Sequence, residues 1–231
     1  MTNSINLSEK QKKFFDFLIQ FNHQNQHVSS IQEISEKLGF STATLREQMA
    51  LAKDLGFISA QPKKGVEILP YKFTPAVSKS LYYAVNIDYE YFIQFAEIRS
   101  HLEKDYFVES AKMLDCEDLL KISMLVEVAF EKLNGKPVRI PHEEHRQYHL
   151  SFYSRQKNIF LSGILEAFWD VYEYVGLNLY ADIDYLKYVW TYHKQILDLT
   201  LEGNYEEAYQ LLAKHMEFIY EREHKQRINN V

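Results

Sequence analysis

The sequence predicts a mainly α-helical protein made of an N-terminal winged helix-turn-helix and a C-terminal all-helical antiparallel bundle. Apolar residues recur every three or four positions along most of the chain, which is the spacing of amphipathic helices. Only 7 Gly and 5 Pro occur in 231 residues, so few turns interrupt this pattern. One short segment near residue 60 has a β-like pattern instead. An apolar content of 46% is enough for two packed cores.

Helix signals fill the first 56 residues. Segments 8–11 and 30–33 read Ser-x-x-Gln and Ser-x-x-Glu, the spacing of a capping box, and each precedes apolar residues at helical spacing. Gly39 is placed to end the second helix, because glycine adopts the left-handed conformation without strain. Ser41 can cap a third helix, which Gly56 ends. Two short helices joined by a glycine turn predict a helix-turn-helix.

A β-hairpin is predicted directly after these helices. Residues 57–60 and 66–69 are the strand candidates, and Pro62-Lys63-Lys64-Gly65 forms the turn between them. A hairpin in this position is the wing of a winged helix, with Lys63 and Lys64 at its tip. There the two lysines can reach phosphates or the minor groove of DNA. The alternative is an ordinary solvated turn, which the order of the elements disfavours.

The predicted domains are residues 1–70 for the winged helix, 71–76 for a linker and 77–231 for the helical part. The net charge of −6 divides unevenly between them, with about +1 in residues 1–70 and about −7 in the rest. An acidic second domain leaves the first free to approach phosphates. The helical pattern of the second part predicts helices at 77–85, 87–114, 116–134, 142–156, 158–178, 182–202 and 204–226.

Cellular location is indicated by what the sequence lacks. Cys116 is the single cysteine and has no internal disulfide partner. No stretch has the apolar length of a membrane span or the layout of a signal peptide. We therefore expect a cytoplasmic protein with no membrane partner.

Residues 39–47, Gly-Phe-Ser-Thr-Ala-Thr-Leu-Arg-Glu, resemble the recognition-helix motif of the GntR family of transcription regulators, Gly-Val-Ser-Arg-Thr-Pro-Val-Arg-Glu. Lys64-Gly65 is similar to the Arg/Lys-Gly of that family's wing. The chain departs from the family at Thr42 and Thr44, so its base contacts need not be those of typical members. The resemblance implies double-stranded DNA as a partner and places seven residues at the interface: Ser41, Thr42, Thr44, Arg46, Lys63, Lys64 and Gly65. Arg46 is the strongest single candidate for a base or phosphate contact.

The helical part resembles the FCD effector domain of the FadR-like branch of that family. Residues 95–103 are similar to its opening helix, and residues 145–149, followed by Asn158, are similar to its Asp-x-x-Phe-His…Asn signature. The resemblance covers most of the chain and implies a homodimer on a palindromic operator. It also implies that a small-molecule effector bound in the helical domain changes DNA affinity. Most members are repressors.

Four histidines form the candidate metal site. His145 and His149 are one helical turn apart and share a face, while His193 and His215 lie on two later helices that can converge on them. Neutral imidazole suits first-row divalent metals. Family members that hold a metal use one Asp and three His, and His145 occupies the Asp position. Three interpretations stay open: a four-histidine site, a three-histidine site with His145 as a bystander, and a metal-free pocket.

The replacement of the family's Asp by His145 affects which metal the site would prefer. Without its negative charge, binding of a hard ion should weaken more than binding of zinc or nickel. Zinc or nickel is therefore favoured, and manganese and iron remain compatible. The remaining histidines have surface or structural roles: His23, His27, His101, His142 and His224.

Arg99 and Tyr148 are the candidate effector-binding residues. Arg99 matches a family arginine near the effector pocket and could hold an organic-acid carboxylate through a bidentate contact. Its alternative role is an ion pair with a nearby glutamate. The aromatic residues between 148 and 192, Tyr148 among them, have helical spacing and are expected mainly in the core, although some can line a pocket.

Two other functions compete with a ligand-responsive regulator. The first is a metal-dependent hydrolase or oxygenase that uses the histidines. No carboxylate stands in a clear general-base relation to them, and the Glu of His-Glu-x-x-His is missing. The second is a constitutive DNA-binding protein whose helical domain only dimerises, and it predicts a filled core.

Overall fold

The computed structural model describes residues 7–23, 30–61, 65–175 and 182–218. The chain divides into two compact units, residues 1–76 and 77–231. Lys63 and Lys64, the predicted tip of the wing, lie outside the described residues. None of the described helices has the length and apolar character needed to cross a membrane.

The first unit is a helix-turn-helix followed by a hairpin, as the sequence predicts. Its helices are α1 (Glu9–His23), α2 (Ile31–Leu38) and α3 (Thr42–Asp54), and its strands are β1 (Ile58–Gln61) and β2 (Gly65–Ile68). The strands pair antiparallel, with Ile58 opposite Ile68 and Gln61 opposite Gly65.

Local hydrogen bonds explain where these helices begin and end. The capping box at the start of α1 is complete: the Gln11 amide donates to Ser8 Oγ over 3.2 Å, and the Ser8 amide donates to Gln11 Oε1 over 2.8 Å. Ser30 caps α2 by accepting from the Glu33 amide. Gly39 ends α2 with φ of 64°, the left-handed conformation that glycine accommodates best.

One apolar core holds the first unit together. Phe14 of α1, Ile34 of α2 and Leu45 of α3 are at most 1% exposed, and Ile58 and Val66 bring the hairpin into the same cluster. Full burial of such side chains stabilises a fold by roughly 1.5–3 kcal/mol each. The hairpin is therefore fixed to the helices through one face of its strands.

After the hairpin, the described residues form the helices α4 (Thr74–Ile87), α5 (Glu90–Met113), α6 (Cys116–Asn134), α7 (His142–Phe152), α8 (Ile159–Tyr174), α9 (Ile183–Leu201) and α10 (Tyr205–Met216). Together with the first unit they confirm the predicted fold class. Helix α4 begins at Thr74, inside the predicted linker, residues 71–76. Pro75 is compatible with this start, because the first turn of a helix needs no amide donor from it.

Several helix ends differ from the predicted ones for local reasons. The predicted helix 87–114 is interrupted before Glu90, where Asp88 Oδ1 accepts from the Glu90 amide and so favours a new helix start. Helix α7 ends at Phe152 and not at 156, because Tyr153 leaves the helical conformation with ψ of 8°. Asn158 then caps α8 by accepting from two backbone amides.

The helices of the second unit pack around α9, which contacts α10 and α6. Helix α6 also contacts α7, and α5 contacts α10, α8 and α7. The main core includes Phe107, Ile122, Leu165, Trp190 and Ile196, all at most 1% exposed. This packing brings α5, α7, α9 and α10 together around a group of buried polar side chains.

Candidate functional site

Three imidazoles from three helices meet in the second unit. His149 of α7, His193 of α9 and His215 of α10 are 2%, 0% and 7% exposed. Their Nε2 atoms form a triangle with sides of 3.1 Å (149 to 193), 3.1 Å (193 to 215) and 3.4 Å (215 to 149). All three rings therefore direct the same nitrogen at one point.

The size of this triangle matches a metal site. Imidazole nitrogens bound at ~2.0–2.1 Å to one ion, with angles between about 90° and 110°, lie roughly 2.8–3.4 Å apart. The three observed separations fall in that range. Hydrogen bonds among these three nitrogens cannot use the lone pairs of all three, because at least one nitrogen must carry a proton in order to donate. A single cation can instead bind the lone pairs of all three neutral rings. The donor set therefore fits a first-row divalent metal.

His145 is the fourth member of the group. One ligand atom of each of the four histidines lies within 4.8 Å of the others, so His145 is near enough to contribute. Its ring packs against Trp169, with centroids 4.8 Å apart, and against His193 at 4.9 Å. Its buried Nε2 has no hydrogen-bond partner among the described residues. The geometry accommodates both the four-histidine and the three-histidine interpretation.

Burial keeps these imidazoles neutral. Desolvation is the main cause that lowers the pKa of the four histidines well below 6.5: His145, His149, His193 and His215. Arg99 lowers the pKa of each further, and neighbouring imidazoles do so for His145, His193 and His215. A neutral imidazole has a free lone pair, which is the form that binds a metal.

A buried charged pair on α5, Arg99 and Glu103, contacts the Nδ1 side of the His149 ring. Glu103 Oε2 lies 2.9 Å from His149 Nδ1, and Arg99 Nη2 lies 3.0 Å from the same nitrogen. Glu103 Oε1 accepts from Arg99 Nε over 2.5 Å. Glu103 is fully buried and Arg99 is 5% exposed. Desolvation raises the pKa of Glu103, while the charge and the hydrogen bond of Arg99 oppose that rise. The predicted alternative for Arg99, an ion pair with a nearby glutamate, is thus observed.

A cavity of about 50 Å³ opens beside the imidazoles. Arg99, His145, His149 and His215 contribute to its wall, together with apolar and aromatic side chains of α7 to α10. The volume is enough for a few water molecules or a small ligand. The wall of the cavity therefore combines polar and apolar groups.

Tyr148 lies in the core and not on the wall of the cavity, where an effector contact is expected. It is 1% exposed and does not line the cavity, and its hydroxyl donates to the backbone oxygen of His193 over 2.7 Å. A buried tyrosine whose hydroxyl is already paired acts as core. Of the two candidate effector residues, the structure therefore brings only Arg99 to the cavity.

The candidate DNA contacts of the first unit lie at the start of α3 and on β2. Ser41, Thr42 and Arg46 are exposed, while Thr44 and Gly65 are half-buried. Ser41 caps α3, since its Oγ accepts from the Thr44 amide over 3.2 Å. Thr42 and Arg46 are one helical turn apart, so they share an exposed face of α3.

Glu103 is the site residue that the sequence analysis missed. The signal was present, because Glu103 follows Arg99 by four residues and both lie on the buried face of α5. A charged pair at helical spacing on a buried face indicates a group held in the interior for a purpose other than packing.

Comparison with known protein families supports a two-part assignment. The FCD domain profile matches residues 94–218, more than half of the chain, and the LexA DNA binding domain profile matches residues 4–65. The second match covers the helix-turn-helix and ends where β2 begins. A search of curated proteins gives no match.

Solved structures share this fold. A GntR protein of Streptococcus agalactiae is 14% identical with a TM-score of 0.62, over 91% of this chain and 98% of its own. McbR/YncC of E. coli is 17% identical with a TM-score of 0.51, over 96% and 99%. Lar, described as controlling expression of the Listeria monocytogenes agr system, is 15% identical with a TM-score of 0.50, over 92% and 95%.

The matched families and the similar structures are those of transcription regulators, which favours a regulator over the enzyme alternative. Some FCD domains bind metal, in agreement with the histidine cluster. With an FCD domain matched over more than half of its length behind a segment that matches a DNA binding domain, this chain belongs to the FCD-domain family, and it shares its fold with solved GntR regulators.

Proposed function

We propose that this regulator is a cytoplasmic homodimeric repressor that binds a palindromic operator and releases it when a small carboxylic acid binds beside a divalent metal. Residues 1–70 would read the DNA, residues 71–76 would connect the domains, and residues 77–231 would dimerise and hold the effector. The convergence of three Nε2 atoms within 3.1–3.4 Å carries the metal part of the proposal.

His149, His193 and His215 would bind the ion, with His145 as a fourth or nearby group. The ion would supply a positive charge and an open coordination position in the cavity. Zinc or nickel is favoured, since the donor set contains only imidazoles. Neutral ligands leave the charge of a divalent ion unbalanced, so an anionic partner would be stabilised there.

Arg99 supports a carboxylate as that partner. It lies on the cavity wall with the histidines, its ion pair with Glu103 uses Nε, and the rest of the guanidinium offers further donors that match a carboxylate in charge and geometry. The small cavity favours a compact acid over a long-chain one. Effector binding would then change the spacing of the two DNA-binding heads of a dimer.

On the DNA side, Ser41, Thr42, Thr44 and Arg46 would face the major groove or its phosphates. Lys63, Lys64 and Gly65 of the wing would contact the flanking backbone or minor groove. The exposure of Arg46 at the start of α3 supports this arrangement, because the first turns of a recognition helix are the ones that reach base edges.

Metal analysis of the full chain without a histidine tag tests the proposal. We expect near-stoichiometric zinc or nickel, lost in His149→Ala and His193→Ala and kept in His101→Ala, whose side chain is 65% exposed on α5. Protein that contains no metal and gains none from zinc, nickel, manganese or iron contradicts the metal site.

The effector is tested by a thermal-shift screen of small mono-, di- and tricarboxylic acids on metal-loaded protein. Acids that raise Tm should also weaken binding to DNA fragments selected from a random pool, and Arg99→Gln should reduce both effects. DNA binding that no acid changes would instead favour the constitutive DNA-binding alternative.

A further inference from the structure

We propose that the effector is a compact dicarboxylate, with one carboxylate at the open coordination position of the metal and the other on Arg99. This inference rests on the proposed function and narrows the class of acid that the cavity would take. The charges around the cavity and the positions of its two cationic groups support it independently.

The charges around the cavity favour an occupant with two negative charges. Among the described residues of the cavity wall none is acidic, and Arg99 is the cationic side chain. Arg99 is ion-paired with the buried Glu103, so these two charges cancel. Imidazoles that bind an ion contribute no charge, and a divalent ion would therefore leave two positive charges unbalanced. Such an excess is costly at low dielectric, and a dianion balances it where a monoanion does not.

The charged residues on either side of His145 along α7 do not supply this balance. Glu144 is paired with Lys132 over 2.6 Å, and Arg146 is paired with Asp170 over 2.9 Å. None of these four side chains lines the cavity. Each pair is neutral as a whole, so the excess charge of an occupied metal site would remain for the ligand to balance.

The two cationic groups lie on opposite sides of the His149 ring. On one side, His149 Nε2 lies 3.1 Å from His193 Nε2 and 3.4 Å from His215 Nε2, where the ion would bind. On the other side, Arg99 Nη2 lies 3.0 Å from His149 Nδ1. Because the ring stands between the ion position and the guanidinium, one carboxylate is too short for a close contact with both. Two carboxylates joined by a short carbon chain can contact both.

Arg99 keeps donors for such a second carboxylate. Its Nε donates to Glu103 and its Nη2 lies beside His149, while its Nη1 makes no hydrogen bond to a described residue. The guanidinium stacks over Phe168 and Trp169, with distances to the ring centroids of 4.6 Å and 5.3 Å. A cation held in place on the cavity wall with N–H groups to spare is a preorganised partner for a carboxylate.

The volume of the cavity limits the length of the diacid. A space of about 50 Å³ suits malonate or succinate better than a longer diacid or a tricarboxylate. Inorganic phosphate and sulfate are also dianions, but their charge is concentrated at one centre. A tetrahedral anion therefore matches one cationic group and not two that are separated by a ring.

Isothermal titration calorimetry on the full chain loaded with zinc compares each diacid with its monoamide. Malonamate and succinamate have the size of malonate and succinate but carry a neutral amide in place of one carboxylate. We expect each diacid to bind about 10–100-fold more tightly than its monoamide, which is the usual gain of a charged hydrogen-bonded contact. Equal affinities within both pairs overturn the inference and leave a carboxylic-acid effector in place. If none of the four acids binds, the inference fails together with the acid effector of the proposed function.

Arg99→Gln tests the position of the second carboxylate. We expect the preference for malonate over malonamate to fall to about threefold or less, because the amide loses no ionic partner in this variant. Arg155→Gln is the control, since Arg155 pairs with Asp118 on the surface, and it should keep the full preference. An unchanged preference in Arg99→Gln overturns the inference. Zinc content measured in each variant separates loss of the acid contact from loss of the ion, and the wild-type comparison stays decisive if Arg99→Gln does not fold.

Titration with sulfate and inorganic phosphate distinguishes the two sources of a dianion. We expect both to bind more weakly than malonate, because each would contact one cationic group at a time. Sulfate or phosphate that binds more tightly than both diacids would assign the cavity to a tetrahedral anion and overturn the inference.

Discussion

The two units of this regulator place polar groups in opposite ways. In the described part of the first unit, Gln48 is the one buried polar side chain, and the candidate DNA contacts lie on its surface. The second unit buries a charged pair, Arg99 and Glu103, together with three histidines. A surface site adds little cost to folding, whereas buried polar groups must be mutually satisfied. Function and stability should therefore separate in the first unit and be coupled in the second.

The largest effect is expected from the core of the first unit. Phe14→Ala removes a side chain that is 0% exposed and should destabilise this unit by about 3–5 kcal/mol, with loss of DNA binding. Urea unfolding followed by circular dichroism measures the loss. Metal content should stay at the wild-type level, and its loss in the same variant would show that the units do not behave separately.

A strong pH dependence is expected from the second unit without metal. The four histidines have a lowered pKa in the folded chain, so below pH 6.5 the unfolded chain binds more protons than the folded one. Stability is then complete above pH 6.5 and is lost as pH falls, by up to ~1.4 kcal/mol per pH unit for each histidine.

Unfolding by urea at pH 7.5, 6.5 and 5.5 measures this dependence. His193→Gln should reduce the slope by about one proton. A wild-type stability that is flat between pH 7.5 and 5.5 would be inconsistent with buried neutral imidazoles.

A smaller effect is expected on α3, where one substitution should weaken DNA binding without changing the stability of the fold. Arg46→Ala should weaken DNA binding by about 1–3 kcal/mol with no change in Tm. Lys53→Ala is the control, because Lys53 is also exposed and cationic but lies in the last turn of α3. Fluorescence anisotropy with selected DNA measures both. Equal losses in the two variants would point to a diffuse charge effect in place of a specific contact.

The smallest effect compares two matched helix caps. Ser30 and Ser41 have nearly the same backbone conformation, with φ and ψ of −64° and 155° and of −66° and 155°. Replacement of either by alanine should cost about 1 kcal/mol of stability. Only Ser41→Ala should weaken DNA binding beyond that loss, as measured by thermal unfolding and anisotropy. If Ser30→Ala weakens DNA binding equally, Ser41 acts as a cap alone.

The contrast between the two units also explains how much of each could be predicted from the sequence. The helix-turn-helix depends on local signals such as the box at Ser8 and Gln11 and the turn at Gly39, and these are legible in the chain itself. The histidine cluster was predicted because a resemblance supplied the pairing of distant positions. The ends of α7 and α4 were not predicted, since they depend on conformations that apolar spacing does not encode.

Glu103 and Tyr148 illustrate the remaining gap. Tertiary packing between segments about 50 residues apart decides which side of α5 contacts α7. The same packing decides which tyrosine hydroxyl donates to a backbone oxygen of α5. Residue spacing placed Tyr148 near the histidines along the chain but could not show that its hydroxyl points to His193 O, away from the cavity. What could not be predicted was the direction of the Tyr148 hydroxyl, more than its proximity to the histidines.

The triangle of imidazoles also has a consequence for chain topology. It joins positions 44 and 22 residues apart, so a ligand that holds the three nitrogens together acts as a reversible cross-link closing two long loops. Because such a ligand binds only while the loops are closed, it stabilises the folded unit by mass action. Because α10 carries the last of the three positions, its fraying would require release of the cross-link. Amide hydrogen exchange in α10 would then report ligand occupancy of the site, although the site is built mainly on helices earlier in the chain.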